Sequence, residues 1–276
     1  MVELFRIGHV SIYLFGITIA LGMLTGMAIM IKEAKRKGMD IDKLTDLAVY
    51  TIIASLIGAR LYYVLAFNLE YYLANPKAII SIRDGGLSIQ GALILGIGFA
   101  FWYTKKKRIS FWEVADVFAP GIIIGQAIGR IGCDVFGVPM EKPYPWGVVA
   151  NSQLLHPAQL YEALLDLLLF TYLWRSRSKV RYNGELFIKY IIGFSIIRGI
   201  VEFFRTNPIV YGPFTIAHIT SLVIIAIALL IHKSIKKRKI IPYESESSNT
   251  LKVSVMHYII IALFAGVSTW FYYYIH

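Results

Sequence analysis

The sequence predicts an all-α fold: a polytopic integral membrane protein with a seven-helix body and one extra C-terminal transmembrane helix. Three observations lead there. Of 276 residues, 57% are hydrophobic and only 16% charged, against about 25% charged in a soluble domain, and the mean hydropathy is +0.61. Eight stretches, at 10–31, 46–67, 87–104, 112–133, 157–174, 186–205, 214–232 and 256–275, approach the roughly 20 apolar residues that cross a bilayer. The net charge of +11 is gathered in short basic clusters between them, a pattern that signals topology and not nucleic-acid binding.

Taken in order, the first stretch reads as a retained helix. It is longer than the roughly 7–15-residue core of a signal peptide, and basic residues follow it instead of preceding it. The clusters around Lys32–Lys37, Lys105–Arg108, Arg175–Arg181 and Lys233–Lys239 follow the first, third, fifth and seventh stretches. All four therefore fall on one side, which the positive-inside rule makes cytoplasmic, with the N-terminus outside. The opposite face carries the 68–86 and 134–156 loops and the 206–213 turn, rich in Gly, Pro, Tyr and Trp. Arg130 and Arg205 end their stretches on that outer side and Arg198 lies about two turns deeper, so a site built on them opens outward. The expected division is a membrane-embedded body at 1–239, a polar cytoplasmic linker at 240–255 and an additional transmembrane helix at 256–276. That last helix has no internal charge, which fits an anchoring or packing role.

Four arginines, Arg60, Arg130, Arg198 and Arg205, sit in or at the ends of these stretches. An ionised group in hydrocarbon costs at least about 2.5–3.5 kcal/mol, so each needs a partner, water or a task. Arg198, Glu202 and Arg205 share one helical face at i, i+4, i+7. They form either a structural ion-pair ladder or a phosphate clamp in which Glu202 orients Arg198; position alone leaves both open. Gln126 and Arg130, again four apart, lie among Gly121, Gly125, Gly129 and Gly132, small residues that permit close helix approach. Gly85-Gly86 precedes Ser88-Ile89-Gln90-Gly91 at the third stretch. In His156-Pro157-Ala158-Gln159-Leu160-Tyr161-Glu162, Pro157 suits a first helical position and His156 its cap, with Glu162 and Asp166 one turn apart behind them. Arg60 and Asp116 are expected to be structural partners. The single cysteine, Cys133, excludes an intrachain disulfide and a cysteine-built metal site, and is expected to be a packing residue.

These segments, together with Gly58-Ala59-Arg60-Leu61-Tyr62-Tyr63-Val64 and Ala115-Asp116…Ala119-Pro120, resemble the prolipoprotein diacylglyceryl transferase family in order and spacing over about residues 9–235. The resemblance implies a bacterial plasma (inner) membrane enzyme, multi-pass and without cofactor or metal. Its donor is phosphatidylglycerol in the lipid bilayer, and its acceptor is the lipobox cysteine of a prolipoprotein signal peptide. Arg130 matches the family's signature arginine and Arg198 an arginine regarded as essential. Gln90 stands where the family commonly has a histidine regarded as the base, and Cys133 where it usually has asparagine. Aligning Asp134 with the family's acid and Gly137 with its glycine deletes about four residues. The eighth helix lies outside the usual pattern. The expected site comprises Arg130, Arg198, Gln90 and Asp134 as catalytic residues. Glu202, Arg205, Gly137, His156, Tyr161 and Gln126 join the two arginines in binding substrate. Two other readings use the same arginines: a non-enzymatic phospholipid-binding or lipid-moving protein, and a transferase with another acceptor.

Overall fold

A computed structural model describes residues 2–8, 10–67, 69–81, 85–150, 152–237 and 255–275. The chain divides into two compact units, one of Met1–Met30 with Ala115–His276 and one of Ile31–Val114. Among the described residues the long helices are α1 (Leu14–Arg36), α2 (Ile41–Phe67), α4 (Ile89–Lys106), α5 (Phe111–Ile131), α6 (Ala158–Ser176), α7 (Glu185–Glu202), α8 (Ile216–Lys237) and α9 (Val255–Ile275). A short α3 (Leu69–Ala74) follows α2. α1, α2, α5, α8 and α9 are long and apolar enough to cross a bilayer. α4, α6 and α7 are shorter, with 18, 19 and 18 residues. The polar linker lies mostly outside the described residues.

The first predicted helix begins later than its hydrophobicity suggests. Val10–Tyr13 (β2) pairs antiparallel with Glu3–Ile7 (β1), across a turn at Gly8 with φ +60°. β-Branched and aromatic residues suit this strand, and apolar content alone does not separate it from a helix. Two further hairpins, β3 (Val148–Ala150) with β4 (Gln153–Leu155) and β5 (Ile209–Tyr211) with β6 (Phe214–Thr215), sit in the connections before α6 and α8.

In the Ile31–Val114 unit, the Arg60 guanidinium is held by backbone carbonyls. Its Nε donates to the Ile79 carbonyl (2.8 Å), Nη1 to those of Gly85 and Gly86 (2.7 and 2.9 Å), and Nη2 to those of Ala78 and Ser81 (2.6 and 2.9 Å). A guanidinium has five N–H donors, so Arg60 spends all of them shaping the loop before α4. The carboxylate of Asp116 accepts the Gly184 and Phe187 amides at the start of α7 (2.8 Å each). Both residues are structural as expected, but with partners other than each other. Gly86 has φ +74°, and a Cβ there would lie 2.6 Å from Arg60 Nη1. Gly86→Ala is expected to cost about 1–3 kcal/mol from backbone strain, plus disruption at Arg60. A lowered midpoint of thermal unfolding in detergent checks it, and an unchanged midpoint would remove Arg60 as the loop's organiser.

In the other unit, α1 and α5 touch backbone to backbone. A Cβ on Gly22 would lie 2.6 Å from the Gly125 carbonyl oxygen, and one on Gly26 2.7 Å from that of Gly121, as the small-residue spacing on α5 predicts. The main core of this unit joins α5, α6 and α7 through Ile123, Ala127, Leu167, Leu173, Leu186 and Val201.

Candidate functional site

The site is assembled where α5 ends, α6 begins and α7 ends. Asp134 and Gly137 lie on the strand-like segment leaving α5. The Gly137 amide donates to the His156 carbonyl (2.8 Å), and the Val138 amide to the Phe204 carbonyl (2.9 Å). This segment is thus threaded between the entry to α6 and the exit from α7. A Cβ on Gly137 would collide with the Phe204 and His156 carbonyl oxygens, which is why glycine stands there. Asp134 Oδ2 accepts the Val2 amide (3.1 Å), drawing the N-terminal strand to the same end of the unit.

Three guanidiniums converge there. Arg130, in the last turn of α5, holds Glu162 of α6 (Nη2 to Oε1, 2.9 Å). Arg205 approaches the other oxygen of Glu162 (3.8 Å), and Arg198 pairs with Glu202 within α7 (2.9 Å). Arg205 also interacts electrostatically with Arg198, Arg130 and Glu202, so the five charges form one cluster. Glu162 and Glu202 are each only 1% exposed. Three guanidiniums face the two carboxylates that pair with them. Asp166, fully buried, adds a carboxyl group one turn deeper on α6. Arg198 Nη1 and Arg205 Nε are buried donors without a hydrogen-bond partner among the described residues; on the acceptor side, Glu162 Oε2, Glu202 Oε2 and both carboxyl oxygens of Asp166 are likewise without one. A buried donor without an acceptor is expensive, and an anion oxygen is the partner a guanidinium fork matches best.

The sequence reading placed Arg205 on the same helical face as Arg198 and Glu202. Arg198 and Glu202 do pair, but α7 stops at Glu202. The chain then tightens into a turn, with the Arg205 amide donating to the Glu202 carbonyl (3.0 Å). Leaving the helix is what frees Arg205 to reach Glu162. His156 also departs from the expected cap. α6 begins at Ala158, after Pro157 and without a side-chain cap, and the Ala158 amide donates to the His156 carbonyl (2.9 Å). The imidazole instead puts Nδ1 3.2 Å from the Tyr161 hydroxyl and packs against Phe204, with ring centroids 5.1 Å apart. Burial lowers its pKa from the ordinary histidine value, so the ring is neutral near pH 7. Gln126 accepts from the Tyr190 hydroxyl (3.2 Å).

Several residues here escaped the sequence reading. The sequence shows Glu162 only as part of an interior network, yet it bridges two of the three arginines. Glu202 is held on its other oxygen by Asn207 Nδ2 and Thr215 Oγ1, both at 2.7 Å. Thr215 is braced in turn by His218, whose Nδ1 accepts the Thr215 amide (3.1 Å). No local spacing connects positions 202, 207 and 215. A missed signal for Glu162 was its charge in an apolar stretch, the same signal that flagged the arginines. Gln90 belongs to the Ile31–Val114 unit, at the start of α4, exposed, with its amide oxygen accepting from Ser88 Oγ (2.6 Å). Cys133 is buried, in keeping with packing.

Comparison with known proteins adds a family. The model of the family described as "Prolipoprotein diacylglyceryl transferase" matches residues 2–233. The chain is 37% identical over 236 residues to the phosphatidylglycerol–prolipoprotein diacylglyceryl transferase of Clostridioides difficile, covering 85% of this chain and 95% of that protein. It is 37% identical over 239 residues to the Bacillus cytotoxicus protein of the same name (82% and 88%), and 36% identical over 244 residues to that of Trichormus variabilis (82% and 86%). With most of its length matched and its arginine cluster assembled from the segments that carry the likeness, the chain belongs to the prolipoprotein diacylglyceryl transferase family.

Proposed function

We propose that this protein transfers the diacylglyceryl group of phosphatidylglycerol to the lipobox cysteine thiol of a prolipoprotein signal peptide, the first step of bacterial lipoprotein maturation. The observation that carries the reading is the cluster of Arg130, Arg198 and Arg205 with two buried guanidinium donors, Arg198 Nη1 and Arg205 Nε, that have no acceptor among the described residues. The thiol sulfur attacks the glyceryl carbon that bears the phosphate; the C–S bond forms as the C–O bond breaks, and glycerol phosphate departs with the electron pair. Arg130 and Arg198 grip the phosphate and stabilise the charge that develops on the leaving group. Glu202 orients Arg198, and Arg205 supports the cluster. Gln126, Gly137 and Tyr161 line the substrate's place, and Asp134 anchors the segment between them. The protein acts in the bacterial plasma membrane with its N-terminus outside and the site open to the outer face, where exported precursors emerge. The body spans 1–239, the cytoplasmic linker 240–255 and the added helix 256–276.

Glutamine cannot accept the thiol proton, so Gln90 aligns head group or thiol by hydrogen bonding. A thiol with a pKa near 8.5 is already a few per cent ionised at neutral pH, and a modest base suffices. His156 is that base in this reading, neutral because burial lowers its pKa. The sign follows: as pH falls through the lowered value, His156 protonates and transfer declines. The acid limb of kcat against pH is therefore expected below about 6.5, the ordinary histidine value. Gln90→Ala should keep that limb and His156→Asn should lose it; the reverse pattern would assign the base to position 90.

The test of the function is incubation of the purified protein with labelled phosphatidylglycerol and a lipobox peptide. Mass gain on the peptide cysteine supports the reading. Binding without transfer means a lipid-binding protein, and donor turnover with an unmodified peptide means another acceptor.

A further inference from the structure

Thr215 has two tasks for one hydroxyl. It ends β6 and immediately precedes α8. Its Oγ1 accepts the Ala217 amide (3.2 Å), the bond of a helix N-cap. Three positions on, His218 Nδ1 accepts the Thr215 amide (3.1 Å). That is a capping box with imidazole where glutamate or glutamine usually stands. An amide N–H only donates, so Nδ1 carries no proton. Capping uses the threonine oxygen as an acceptor and leaves its proton over. Two acceptors are in range of that proton, Glu202 Oε1 at 2.7 Å and His218 Nδ1 at 3.2 Å. The carboxylate is closer, charged and not already holding the amide, so it takes the proton. Thr215 is 4% exposed, so water does not compete for this bond. Asn207, the other donor to Oε1, is only half-buried. Ala228 of α8 and Ile188 of α7 share an apolar cluster, with Ile191 and Ile192 packed against it. α8 is therefore seated on α7, and its cap holds the hydroxyl at a fixed place beside the end of that helix.

We propose that Thr215 is a positioning residue of the transfer site: its hydroxyl pins Glu202 by Oε1, turns Oε2 to Arg198 and leaves Arg198 Nη1 directed at the substrate phosphate. The inference rests on the role given to Arg198 above. Glu202 Oε2 has the Arg198 ion pair (2.9 Å) and no aligned hydrogen bond, so the carboxylate is oriented from its Oε1 side. A carboxylate free to rotate would offer both oxygens to the guanidinium fork and occupy Nη1 as well. Held by Oε1, it meets Nη2 alone, and Nη1 stays without a partner among the described residues. Thr215 itself touches no substrate. A helix cap alone would stabilise α8 and be indifferent to what stands at position 198.

The test is a double-mutant cycle in the full-length purified protein. Thr215→Val, which keeps the shape and loses the hydroxyl, is made alone and together with Arg198→Lys. Thr215→Ser, which keeps the hydroxyl, is the rescue. The midpoint of thermal unfolding should fall with Thr215→Val in both backgrounds, because the cap is lost in both, and rates are compared on the folded fraction. With Arg198 in place, kcat/KM for transfer should fall roughly three- to tenfold, the range of one net hydrogen bond. In the Arg198→Lys background the loss should stay below about twofold, since a rotating ammonium has no fork to aim. Thr215→Ser should match wild type. An equal loss in both backgrounds, no loss in either, or a serine variant as poor as Thr215→Val would return Thr215 to the role of helix cap. Calorimetric titration with glycerol phosphate runs the same cycle without catalysis, and affinity should fall by the same factors. If wild type binds glycerol phosphate but transfers nothing, the proposed function has failed and the binding cycle alone decides the tie. Non-additive losses then sustain it, and additive losses overturn it. A wild type that neither transfers nor binds overturns both.

Discussion

Arg198→Ala will lower diacylglyceryl transfer by about 10²–10³-fold or more, the loss that follows removal of one preorganised donor to a developing anion, while the protein stays folded in the membrane. The thermal midpoint should fall as well: Glu202 still accepts from Asn207 and Thr215 on Oε1, but its buried Oε2 loses its partner, so the rate is compared on the folded fraction. Arg198→Lys should recover only part of the rate, since an ammonium keeps the charge but loses the planar fork. Measured in purified protein with saturating donor, near-normal activity in the alanine variant would remove Arg198 from the phosphate site.

Glu162→Gln is expected to have the second large effect, and on two observables at once. The substitution removes the carboxylate that holds Arg130 at 2.9 Å and faces Arg205 at 3.8 Å. Three guanidiniums would then share only Glu202 as an ion-pair partner within the cluster. Breaking a buried pair by removing one partner costs about 3–5 kcal/mol. The lower end applies here, because the Arg130 side chain keeps 30% exposure and can be partly solvated. The thermal midpoint should fall and transfer should drop with it, since Arg130 loses its orientation. Added phosphatidylglycerol should restore part of the lost midpoint, because an anion that binds only the folded state stabilises it by mass action. A variant with unchanged midpoint and rate would make the cluster incidental to both folding and function.

What the sequence made legible followed from local chemistry. Hydrophobic length located the long helices among the described residues, five of them long and apolar enough to cross a bilayer, and the charge of Arg130, Arg198 and Arg205 in apolar surroundings marked the place where α5, α6 and α7 meet. The i, i+4 spacing of Arg198 and Glu202 produced the expected pair, and the glycines of α5 produced its close contact with α1. Other features were set by tertiary structure. The hairpin at Glu3–Tyr13 competes with a helix that its apolar residues would equally support. Arg60 finds backbone carbonyls that no spacing rule could nominate, because they belong to a loop folded around it. Arg205 changed partner because α7 ends three residues before it. His156 left the expected cap because the backbone after it closes on its own carbonyl, freeing the ring for Tyr161. Thr215 and His218 reach Glu202 only because the β5–β6 hairpin returns the chain to the end of α7. The contacts of α9 were the least legible, since an uncharged apolar helix carries no sign of what its last turn will touch.

The central claim is that the arginine cluster expels glycerol phosphate from phosphatidylglycerol as a cysteine thiol takes the diacylglyceryl group. The most direct measurement follows both products in one reaction, with purified protein, phosphatidylglycerol in mixed micelles and a lipobox peptide. The account predicts equimolar glycerol phosphate and diacylglyceryl-peptide, with neither product formed when the peptide cysteine is replaced by serine. Phosphatidylglycerol that binds the protein yet releases no glycerol phosphate, or releases it without modifying the peptide, would contradict it.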